Sequence, residues 1–152
     1  MANEKLNGLT KINDICLFVK DFDKALKFYV DKFGFKVKRL QPDSSHPNYA
    51  EFVFHGTAVT LWQVDGAAEV IGKDALGDVG HHFMIAVKVY GIETVDEIYN
   101  ELTQNGVECA RKPITYEFGS RAAYFKDCEG NIWEVFAWVE GNGPGLLGED
   151  YE

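Results

Sequence analysis

The sequence predicts an α+β fold: two βαβββ modules in tandem, their strands forming a curved mixed sheet around a cleft. Three observations predict it. The order strand–helix–strand–strand–strand runs twice along the 152 residues. Each helical segment stops at a glycine, Gly34 and then Gly106, where a C-terminal cap belongs. Each module's first strand is apolar at alternate positions, first Ile15, Leu17 and Val19, then Phe83, Ile85 and Val87. One helix on one face of each sheet leaves the other faces to enclose a shared cavity.

The elements follow in order. Residues 11–20 (KINDICLFVK) are β-branched and aromatic-rich and read as a strand. Asp21 is an N-cap for a helix whose apolar face is Phe22, Leu26, Tyr29 and Phe33. Strands are expected at 35–41, 49–54 and 57–63, separated by the loop 42–48 and the turn His55-Gly56. The pattern restarts with a strand at 82–89 and a helix at 94–105, with Val95, Ile98, Tyr99 and Leu102 on one side. Strands at 107–111, 121–126 and 132–139 complete the repeat. The expected organisation is one domain over 1–152: module one about 11–63, a connector at 64–80, module two about 81–139 and an acidic, Gly-rich tail at 140–152.

Composition narrows the class. At 46% hydrophobic and 14% aromatic the chain can fill a core, which excludes disorder, collagen and coiled coil. With 15 basic against 24 acidic residues there is no cationic surplus for a nucleic-acid partner. Four of the acidic residues lie in the tail, so the net charge of −9 is a weak pointer to a cationic ligand. Three cysteines without a C-x-x-C pair argue against a disulfide scaffold or a structural zinc site. Neither a secretory leader nor an apolar stretch long enough for a membrane span is visible, and the expected location is the cytoplasm with reduced thiols.

Strand periodicity also sorts side chains by face. Asp14, Cys16 and Phe18 oppose the helix-packed Ile15, Leu17 and Val19, and His82, Met84 and Ala86 oppose Phe83, Ile85 and Val87. On the last strand Ile132, Glu134, Phe136 and Trp138 share one face. A carboxylate among such neighbours requires a cation or hydrogen bonds. Either Glu134, His82 and Asp14 converge as ligands for a divalent ion, or each is satisfied separately, Glu134 by Arg121 or a lysine. His81 competes with His82 for the cleft-facing position. Trp62, Phe136, Phe52 and Phe54 are either cleft walls for a planar ligand or ordinary core. Arg121 either binds an anionic substrate group or lies on the surface.

Three segments, INDICLFVKDFDKALKFYVDKFGF, GHHFMIAVKV and YFKDCEGNIWEVFAW, resemble the vicinal oxygen chelate superfamily, the glyoxalase / bleomycin resistance protein / extradiol dioxygenase group. The resemblance covers about residues 11–139 and implies paired βαβββ modules, commonly in a homodimer. It places the family's metal ligands at Asp14 (usually His), His82 and Glu134, with Thr60 where glyoxalase I-like members carry Glu. It therefore implies a divalent ion (Zn, Ni, Mn or Fe) and a lyase, isomerase or dioxygenase acting on a small oxygen-rich substrate. Glu134 is then the catalytic carboxylate, and Thr60, Trp62, Arg121 and Phe136 contact the substrate. The Thr60 position leaves a glyoxalase I ligand set incomplete. The competing expectation is metal-free sequestration of a planar or cationic small molecule in an aromatic cleft, without chemistry.

Overall fold

The structure, a computed structural model, describes residues 12–71, 73, 84–117 and 119–140. The chain divides into two compact units, Met1–Val79 and Gly80–Glu152. Each holds one four-stranded mixed sheet, and three helices accompany the two sheets among the described residues.

In unit one the strands are β1 (Asp14–Val19), β2 (Val37–Gln41), β3 (Tyr49–Phe52) and β4 (Ala58–Gln63), ordered β1-β4-β3-β2. The β1–β4 pair is parallel and the other pairs antiparallel. Helix α1 (Phe22–Asp31) begins where Asp21 accepts the Lys24 amide at 3.1 Å, an N-cap that satisfies one of the orphan donors of the first turn. Its buried residues are Phe22, Ala25, Phe28 and Tyr29, so the core stripe is turned from the expected one toward Ala25 and Phe28. Gly34 then takes φ +71°, a left-handed value that an L side chain resists. Tyr29 stacks on Phe35, 5.5 Å between centroids, and Phe52 and Phe54 close on the same ring. Phe52 is thereby core beneath α1, and half-buried Phe54 packs on the same cluster, rather than both walling the opposite face. Strand alternation explains this for Phe52, which shares its face with buried Ala50 and opposes Tyr49 and Glu51.

The stretch expected as a plain connector contains helix α2 (Val64–Ile71), which leaves β4 directly and packs on β1 and β4. Its Gly66 is a close-approach position: a Cβ there would lie 2.9 Å from Asn48 Nδ2 and 3.3 Å from Trp62 Nε1.

Unit two repeats the plan with β5 (Met84–Lys88), α3 (Ile92–Gln104), β6 (Glu108–Thr115), β7 (Ser120–Lys126) and β8 (Ile132–Trp138), ordered β5-β8-β7-β6. Helix α3 starts two residues earlier than expected, at a Gly91 N-cap that has no side chain to give. It packs on β8, β6 and β7, burying Val95 and Leu102 against a sheet face that carries Trp133, Val135 and Phe125. Strand β6 runs four residues beyond its expected end, through register shifts at Cys109/Arg111 and Arg111/Ile114.

Candidate functional site

Register brings matching rows of side chains onto the sheet face opposite α1 in unit one, where α2 meets its end at Trp62, and opposite α3 in unit two. Directly paired residues share a face. In unit one the row is Cys16–Thr60–Glu51–Arg39, and in unit two it is Ala86–Glu134–Tyr124–Arg111. Thr60 and Glu134 thus occupy equivalent places on β4 and β8. The carboxylate has moved one strand over in unit one, from the Glu134-like place to Glu51, which stands where unit two has Tyr124.

Each carboxylate is handled differently. Glu134 is half-buried between apolar Ile132 and Phe136, and burial pushes its pKa up. Its hydrogen bond with Tyr124 opposes that rise. Tyr124 is in turn pushed up to about 12, first by burial and then by the Glu134 charge, and it also bonds Tyr116. Tyr124 supplies the partner that Glu134 requires. Arg121 does not, because residues of β7 alternate and Arg121 lies on the helix-packed side. Its guanidinium takes Asp96 of α3 in a bidentate grip, at 2.6 Å from Nη2 and 3.1 Å from Nε, and reaches Thr115 at 3.1 Å.

Glu51 carries two cations. Lys38 Nζ stands 3.1 Å from Oε1 and Arg39 Nε 2.6 Å from Oε2. A register shift between Val37 and Arg39 lets both neighbours on β2 reach one carboxylate, which a regular strand would forbid. The Lys38 hydrogen bond leads the effects that lower the Glu51 pKa. Asp14 accepts from Thr60 Oγ1 at 3.3 Å and from the Asn13 side-chain Nδ2 at 3.0 Å. Burial raises the Cys16 thiol beside them, more than its Thr60 hydrogen bond lowers it.

Asn13, Asp14, Lys38, Arg39, Tyr49 and Glu51, together with Ala58 and Thr60, line a pocket of about 290 Å³ in unit one. Trp62 borders this set through an edge-on contact with Tyr49, 6.2 Å between centroids. Phe136 meets Trp138 edge-on at 6.0 Å on the helix-free face of unit two, where the Trp138 indole N–H is buried without a partner among the described residues.

The structure therefore joins Asp14 with Thr60 in one unit and Glu134 with Tyr124 in the other. His82 and His81 lie outside the described residues, and among those residues no three His, Cys, Asp or Glu side chains converge as a ligand group. The described donors thus do not by themselves compose a metal centre. Sequence reading missed Lys38, Arg39, Tyr49 and Glu51. The alternation in Tyr49-Ala50-Glu51-Phe52 was the available signal, since it places a carboxylate on the face opposite the helix.

The profile of the Glyoxalase/Bleomycin resistance protein/Dioxygenase superfamily matches residues 11–135. The chain is 32% identical to the Bacillus subtilis protein YraH over 130 residues, 83% of this chain and 97% of that one. A glyoxalase/bleomycin resistance protein/dioxygenase from Nocardioides has the same architecture, with 32% identity, a TM-score of 0.76, and coverage of 91% of this chain and 90% of that one. A lactoylglutathione lyase from Agrobacterium tumefaciens shares the fold at 21% identity and a TM-score of 0.68, over 84% and 93% of the two chains. Repeat, topology and profile agree: the chain belongs to the glyoxalase/bleomycin resistance protein/dioxygenase superfamily.

Proposed function

We propose that this protein binds a small polar molecule on the sheet face of unit one that lies opposite α1. One observation carries the reading: the unit-one pocket gathers two cations, two carboxylates, a hydroxyl and an aromatic ring in about 290 Å³. At about 290 Å³ the pocket lies at the lower edge of the roughly 300–1,000 Å³ usual for ligand sites, which suits a small metabolite. Trp62 packs on Tyr49 of the lining, so its fluorescence reports occupancy. A small-metabolite screen by tryptophan quenching and thermal shift tests the reading. Saturable, chelator-insensitive quenching supports it, and a screen without quenching or stabilisation refutes it.

A second reading has its own support in Glu134, a half-buried carboxylate with a raised pKa on an apolar face. In it Asp14, His82 and Glu134 hold a divalent ion, and Thr60, Trp62, Phe136 and Arg121 contact an oxygen-rich substrate. Arg121 is the weakest member, being already committed to Asp96. Such an ion supplies Lewis acidity toward paired substrate oxygens, the chemistry of a lyase, isomerase or dioxygenase. Glu134 is then its ligand and proton carrier, held in place by Tyr124. Elemental analysis of untagged, chelator-free protein decides: about one ion per subunit, lost in His82→Ala, supports it, and background metal refutes it. The same reading includes a cytoplasmic homodimer. Cys16, Cys109 and Cys128 form no disulfide, which suits a reducing compartment, and light scattering checks the dimer.

A further inference from the structure

We infer that the unit-one pocket selects a zwitterion, its anionic group held by Lys38 and Arg39 and its ammonium by Asp14. The inference rests on the small-molecule reading above and names the ligand class.

Lys38 and Arg39 share one carboxylate, so two positive charges meet a single negative one. Both cations are open to solvent, 62% and 54% exposed against 12% for Glu51. An ammonium has three donors and a guanidinium five, and Glu51 together with the neutral Tyr49 hydroxyl, which Arg39 also bonds, uses only part of them. Among the described residues these cations pair with Glu51 alone, so one unit of positive charge at that end of the pocket is left unmatched there.

Asp14 is the reverse case. Its described partners, Thr60 and Asn13, are both neutral, and it joins none of the ion pairs among the described residues. A carboxylate accepts at about four positions, so lone pairs remain for an incoming donor. Among the described residues one unit of negative charge is unmatched at this end.

The two ends are held apart by the sheet. Strands β1 and β2 flank β4 and β3, three strand spacings or about 14 Å between backbones. Arg39 reaches inward to Glu51 on β3 and Asp14 inward to Thr60 on β4, and Glu51 and Thr60 are direct cross-strand partners. The unmatched charges therefore face each other across the Thr60–Glu51 pair. A ligand with opposite charges at its two ends matches both. A purely anionic ligand meets Asp14, and a purely cationic one meets Lys38 and Arg39, so repulsion selects as much as attraction does.

Calorimetry on the full chain at low salt tests this with γ-aminobutyrate, δ-aminovalerate and ε-aminohexanoate against valerate and pentylamine. At least one amino acid of the series should bind about tenfold or more tighter than either control. Asp14→Asn should erase the preference over valerate and Arg39→Gln reduce the preference over pentylamine, with circular dichroism confirming that both variants fold. Controls that bind as well as the amino acids, or amino acids that give no heat at about 10 mM, overturn the inference. A metabolite that quenches Trp62 while every amino acid fails leaves the small-molecule reading standing and removes only this one. No ligand of any kind removes both.

Discussion

The Thr60 hydroxyl donates to Asp14 Oδ2 at 3.3 Å, joining the two unit-one positions that family resemblance assigns to metal ligands. A neutral donor stands where that resemblance expects a carboxylate, and among the described residues Asp14 has only neutral partners. Thr60 is only 1% exposed, so a charge at its place would be desolvated beside a like charge. Thr60→Glu should therefore lower the thermal midpoint in chelator, and millimolar Zn or Ni should restore part of the loss if the ligand set closes. Thr60→Val should cost about 1 kcal/mol in urea unfolding, the usual worth of one hydrogen bond.

Arg121 should prove structural. Its fork on Asp96 ties β7 to α3 at a site only partly screened by solvent, with side-chain exposures of 23% and 44%. Arg121→Ala should destabilise by about 1 kcal/mol, because exposed pairs give less and bidentate geometry gives more. A double-mutant cycle with Asp96→Ala should show most of that loss as coupling. If Arg121→Ala instead weakens ligand binding at unchanged stability, the residue serves the ligand.

Gly66 should resist a change that usually helps helices. Gly→Ala gains about 0.5–1 kcal/mol in an ordinary helix. Here the new methyl would press on Asn48 Nδ2 at 2.9 Å and on the rigid Trp62 ring at 3.3 Å. Gly66→Ala should give no stabilisation, and the tryptophan emission should shift as Trp62 moves. An unshifted spectrum with a higher thermal midpoint would show that α2 does not press on Trp62.

Acid should expose the role of Glu51. Its two cations lower the folded-state pKa, so ionised Glu51 stabilises the fold above its unfolded value of about 4.3. That contribution fades as pH falls from there through the lower folded value. Glu51→Gln lacks it at every pH. The stability gap between wild type and Glu51→Gln should be full above about pH 5 and close on further acidification. High salt should narrow it, because Lys38 and Arg39 are exposed.

Much of the fold was legible because it is written in local periods. Alternation in Ile15-Cys16-Leu17-Phe18-Val19 and in Ile132-Trp133-Glu134-Val135-Phe136 assigned faces that the burial pattern repeats, with Leu17, Val19, Trp133 and Val135 buried. Asp21 and Gly34 marked the ends of a helix through groups that act within one turn. Helix α2 was missed because Val64–Ile71 is short and holds a glycine, and its burial comes from packing on β1 and β4. Phe52 and Phe54 were ambiguous as wall or core because an aromatic suits both, and only the α1 cluster decides.

By itself the sequence determined the doubled βαβββ plan and the face that carries Glu134, both consequences of spacing along one chain, while the family came from the resemblance of three of its segments. Only the tertiary structure decided the partners. Tyr124 rather than Arg121 meets Glu134, Asp96 takes Arg121, and the β2 register shift lets Lys38 and Arg39 share Glu51. The physical reason is that a period of two names the face a side chain occupies, whereas strand register and a single bulge select what stands opposite it.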